Sequence, residues 1–252
     1  MRKHTGQKVI VTLLALVGGL QGALGSAPAA SQEETVALEL ATLLRSGREV
    51  ISHHQKLIDE QRAGKELTAK KITEQIKANY AHATAHPFPA LDETTLEGKL
   101  LQAELGAMHE VVDQAQAVIN DTTRGFKGFL PAVFAYRVAD RFDQKVGDVA
   151  YLKLTAPVEL IRHRGNSPDA WEERMIKTKL QSPDWPKGKA VAEEAELNAK
   201  KAYRLLIPEY YQASCLACHG EPKGATDITG GKKEGRKLGD LGGAISAAIY
   251  LQ

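Results

Sequence analysis

The sequence predicts an α+β domain in which a helical N-terminal part is followed by a small antiparallel sheet. Two observations predict it: apolar residues at helical spacing through the first half, and strand-like runs separated by turn residues after Gly147. From residue 35 to 61, Val36, Leu40, Leu43, Ile51, His54 and Ile58 share one helical stripe. A second helix is expected over 68–85, broken by His86-Pro87-Phe88-Pro89. The third starts at Thr94 or Thr95, with Glu97 placed for a capping box. It carries Leu101, Leu105, Met108, Val112, Ala115 and Ile119 and ends around Asn120. Gly125 and Gly128 mark a turn, and Pro131 opens a fourth helix to about Lys145 with Val133, Phe134, Val138 and Phe142 as its core side.

After Gly147 the pattern changes. Residues 149–154 read as a strand, and Ser167-Pro168-Asp169 opens a short helix over 171–179. Strands at 190–197 and 202–207 form a hairpin around Asn198-Ala199-Lys200, and a last strand covers 244–251. Between them lie a cysteine motif, on a turn and short helix, and a loop rich in glycine and lysine from Gly224 to Gly243.

The chain of 252 residues is 43% hydrophobic and 25% charged, with a formal net charge of +2, a balance that points to neither nucleic acid nor an anionic membrane as partner. Its first residues are distinctive. Arg2, Lys3 and Lys8 precede the apolar run from Val9 to Val17, and small residues Gly25-Ser26-Ala27-Pro28-Ala29-Ala30 follow. This order predicts a secretory signal peptide over residues 1–30, cleaved after Gly25 or near Ala30. The mature chain, one domain over 31–252, is then expected in the periplasm and not spanning the membrane.

Export leads to an oxidising compartment, where cysteines ordinarily staple a fold. The two cysteines here are three positions apart, so a bridge between them would staple nothing. Cys215-Leu216-Ala217-Cys218-His219 instead reads C-x-x-C-H, the attachment signature of c-type haem. Each thiol adds to one vinyl group of the porphyrin, and His219 becomes the proximal iron ligand. A thioredoxin-like redox pair would need a βαβ setting, and a structural zinc site four ligands at suitable spacing; neither pattern surrounds this motif. One covalent haem c is therefore the expected cofactor.

The sixth iron position is less legible. His54 lies on the apolar stripe of the first helix and is the candidate distal ligand, while a core histidine satisfied by a hydrogen bond and a vacant or water-filled position are the alternatives. Met108 reads as core filling, with His109 at the edge of its stripe. His82 and His86 flank a helix end, and Arg162-His163-Arg164 reads as a basic surface loop. The segment from Gly230 to Lys237 is either a basic cover over the haem propionates or a solvated loop.

Several blocks resemble a family of exported or membrane-tethered proteins with a single-haem c-type domain of PAS-like fold. They are Phe126-Lys127-Gly128-Phe129-Leu130-Pro131-Ala132-Val133-Phe134, Lys153-Leu154-Thr155-Ala156-Pro157, Pro168-Asp169-Ala170-Trp171-Glu172, Pro208-Glu209-Tyr210-Tyr211 with Ser214 to Pro222, and Lys237 to Ser246. The resemblance implies helices packed on a PAS-like antiparallel sheet, with haem held by Cys215, Cys218 and His219. Related proteins often place this domain before signalling modules; with this sequence ending at Gln252 directly after the last expected strand, no output module is expected. The function that follows is a periplasmic monohaem cytochrome c in redox or small-ligand sensing or single-electron transfer. Its partners are a redox or signalling protein and a diatomic ligand. The alternative is a haem enzyme of peroxidase or nitrogen-oxide chemistry with an open sixth site.

Overall fold

The computed structural model describes residues 30–252, so the signal-peptide expectation lies outside the described residues. Helix α1 (Gln32–Asp59) begins at Ser31, whose side chain accepts from the Glu34 N–H, and α2 (Ala69–Thr84) is capped in the same way by Thr68. Helix α3 (Leu96–Gln114) is capped by Thr95, which places Gly98 rather than Glu97 at the third helical position. The capping box expected with Glu97 is therefore absent there. The helix also stops before Asn120: α4 (Gln116–Ile119) is a separate short turn. Pro131 opens α5 (Pro131–Val146) as predicted.

Four strands follow: β1 (Ala150–Thr155), β2 (Val191–Leu197), β3 (Lys200–Tyr210) and β4 (Leu241–Tyr250). They form one antiparallel sheet in the order β1-β4-β3-β2. The β2–β3 turn uses Asn198 and Ala199, with φ of 53° and 59°, a pair of left-handed residues that matches the twist of the strands. Strand β3 runs past the expected end at Ile207 despite Pro208. Pairing with β2 stops at Leu206, so the proline sits where β3 has a ladder on one side only.

Between β1 and β2 lies an insertion, α6 (Ala170–Met175), continued by a π turn over Ile176–Leu180. Here the capping box is present: Asp169 accepts from the Glu172 N–H, and Glu172 from the Asp169 N–H. The sheet is thereby covered on both faces. Leu205, Ile207, Ile245 and Ala247 face the core built by α1, α2, α3 and α5, whereas Leu206 and Ala244 face Trp171, Met175 and Ile176 of the insertion. A charged cluster is buried on the insertion side. Arg204 is 1% exposed, donates to Asp169 at 2.5 Å and lies 4.3 Å from the Trp171 ring; Lys153 pairs with Glu172 at 2.9 Å. Among the described residues, no helix is long and apolar enough to cross a membrane.

Candidate haem-attachment site

The C-x-x-C-H segment follows the C-terminal end of β3. A tight turn over Ala213–Cys215 leads into α7 (Leu216–His219). The helix ends at Gly220, where a Cβ would sit 2.6 Å from the Leu216 carbonyl oxygen, so only glycine lets the chain leave at this angle. Cys215 and Cys218 are both half-buried free thiols. Burial above all, with Asp227 second, pushes the Cys218 thiol above its ordinary pKa.

His219 is held from several directions. Its Nδ1 donates to the Glu234 carboxylate at 2.8 Å, its carbonyl accepts from the Arg236 N–H at 2.8 Å, and the Tyr211 ring lies 5.0 Å from the imidazole at an angle of 36°. Burial opposes the charge on Glu234, but hydrogen bonds from Arg162 and His219 outweigh it and hold the carboxyl below its ordinary pKa. An ionised carboxylate can only accept, so Nδ1 carries a proton, and in the neutral ring Nε2 is the nitrogen with a lone pair to give.

Arg162 organises this corner. Its guanidinium donates to Glu234 through Nε at 2.7 Å and Nη2 at 3.0 Å, to Asp227 through Nη1 at 2.6 Å, and to the carbonyls of Cys218 and Lys232 at 3.0 Å each. Asp227 also accepts from the N–H and hydroxyl of Thr229, and these bonds keep it ionised against burial. The surface-loop reading of Arg162-His163-Arg164 holds in that all three residues are exposed, but Arg162 also turns its guanidinium onto the motif. The Gly230–Lys237 segment meets the motif through its one acid, Glu234, and through the Arg236 backbone. Arg236 also lines an open groove of about 520 Å³ with Leu160, Leu180, Trp185, Tyr210 and Leu241.

His54 binds Gln75 of α2 at 2.6 Å, whereas it is Ser52 that reaches the motif segment, 3.2 Å from Ser214. Residues two apart on a helix point about 200° from each other, so α1 cannot turn both to the same side. Further along the Ser52 stripe, Arg45 donates to Glu209 at 2.7 Å and Arg48 pairs with the same carboxylate. Met108 is fully buried core, and His109 is exposed.

The donor set suits covalent haem: two unbridged thiols at the right spacing, and an imidazole whose Nε2 is free while its Nδ1 is fixed. Among the described residues, no three His, Cys, Asp or Glu side chains gather as a site for a lone metal ion. Fold and site together define a helix-on-sheet domain whose one chemically distinctive segment is a C-x-x-C-H turn at the sheet end. The chain belongs to the Tll0287-like family, whose model matches residues 27–249. No curated protein and no solved structure matches it.

Proposed function

We propose that this protein is an exported monohaem c-type cytochrome that senses redox state or a small ligand, with haem attached through Cys215 and Cys218 and His219 as proximal ligand. The observation that carries the reading is the state of His219: Nδ1 is engaged by Glu234 and Nε2 is left for iron. When bound, haem supplies one reversible electron and a metal position at which a small ligand can coordinate. The protein's part is to present two thiols three positions apart, to orient the imidazole, and to bring Ser52 of α1 against Ser214 of the motif segment.

The reading takes the sixth iron position as exchangeable, the arrangement that small-ligand sensing needs and plain electron carriage does not. The test is an optical spectrum of protein matured in the periplasm, oxidised and reduced, with and without carbon monoxide. A c-type pyridine haemochrome that resists acetone extraction, and that Cys218→Ala abolishes, is the expected result. Carbon monoxide should shift the Soret band of the reduced protein. Haem that survives extraction in Cys218→Ala with an unchanged pyridine haemochrome overturns the attachment, and a Soret band unmoved by carbon monoxide overturns the exchangeable position.

A further inference from the structure

Resting on that reading, we propose that Glu234 is a positioning residue for the iron ligand: it locks the His219 ring and pushes electron density through it, biasing the iron toward the ferric state. The two residues lie 15 positions apart, outside the attachment motif, and meet because the loop after it doubles back. That loop is closed by the Thr226–Lys232 bridge and by the Gly224–Lys233 and Ala225–Lys233 backbone bonds, which brings Glu234 under the imidazole. Both carboxylate oxygens are occupied: Oε2 accepts from His219 and Arg162, and Oε1 from Arg162.

A carboxylate is a stronger acceptor than a backbone carbonyl for the second nitrogen of a metal-bound histidine, and it raises the basicity of the ligating nitrogen. A more basic, partly imidazolate ligand stabilises ferric iron more than ferrous iron, because the ferric ion carries the extra positive charge. Arg162 serves two purposes in this arrangement. It draws some charge from Glu234, and its bond to the Cys218 carbonyl fixes the carboxylate and the motif backbone in one frame. The ring therefore has little freedom to rotate, and ligand orientation as well as ligand strength is set from the loop.

The test compares reduction potentials of haem-loaded wild type, Glu234→Gln and Glu234→Asp. The amide can still accept from Nδ1–H but carries no charge; the shorter acid keeps the charge. Glu234→Gln should move the ferric–ferrous equilibrium about tenfold toward ferrous, a rise of about 59 mV for a one-electron couple. Glu234→Asp should return it at least halfway to wild type. Far-UV circular dichroism and the pyridine haemochrome of each variant separate the possible failures. If wild type carries no covalent haem, the proposed function falls. If haem is attached in all three and Glu234→Gln stays within about twofold of wild type, Glu234 has only a structural role and the inference falls.

Discussion

Glu104 sits in the middle of α3 with its side chain fully buried and both carboxylate oxygens without a hydrogen-bond partner. Burial alone pushes its pKa well above the ordinary value. A buried polar group left unpaired costs roughly 1–3 kcal/mol in proteins. Replacing it by methionine, of similar length and no polar atom, should therefore stabilise the fold by about 1–3 kcal/mol at neutral pH. For a domain of this size each kcal/mol corresponds to about 2–4 °C in Tm. The pH dependence carries a definite sign. Above the unfolded value of about 4.3 the unfolded chain has lost this proton while the folded chain retains it, so wild-type stability falls as pH rises toward the elevated folded pKa. Urea unfolding of wild type and Glu104→Met between pH 4 and pH 8 measures both effects. The gap between them should widen with pH from about 4.3 upward. A variant less stable than wild type at pH 7, or a gap that does not change with pH, would refute the reasoning.

Three further outcomes follow from the geometry. Arg204→Met removes the buried cation that donates to Asp169 and should cost about 1.5–3 kcal/mol by denaturant unfolding, since Glu172 keeps Lys153 as its partner. Gly220→Ala should lower the yield of covalent haem, read from the haemochrome, while far-UV circular dichroism shows the sheet intact, because the added Cβ meets the Leu216 carbonyl within the motif helix. His54→Ala should leave the optical spectrum of haem-loaded protein unchanged, since His54 is engaged with Gln75; a changed Soret position would return it to the iron.

Much of the architecture was legible because its signals are local. The helix starts at Thr68 and Pro131, the Asn198-Ala199 turn and the C-x-x-C-H motif are each written within a few consecutive residues, whereas the Ser31 cap lies ahead of the apolar stripe that placed the first helix from residue 35. The site's supporting groups were not. Arg162 and Glu234 are 72 positions apart and bond only because β1 and the post-motif loop converge on the same sheet end. In sequence, one lay in a run of basic residues and the other was the lone acid among lysines, glycines and arginine. The surroundings of His54 were hidden for a related reason. A long helix packed on several neighbours has more than one inward side, and the stripe through Ile51 and Ile58 does not reveal which neighbour a given position meets.

The strand order has a consequence for how the chain matures. β4 lies between β1 and β3, so Ala150 finds its partner only when Ile249 arrives, and until then both strands expose unsatisfied ladder edges. Contacts this distant in sequence form late. Cys215 and Cys218 emerge before β4 during synthesis. Arrival of the last strand then closes the sheet beside the Cys215–His219 segment, so the setting of the motif is complete only when the last residues of the sheet are in place.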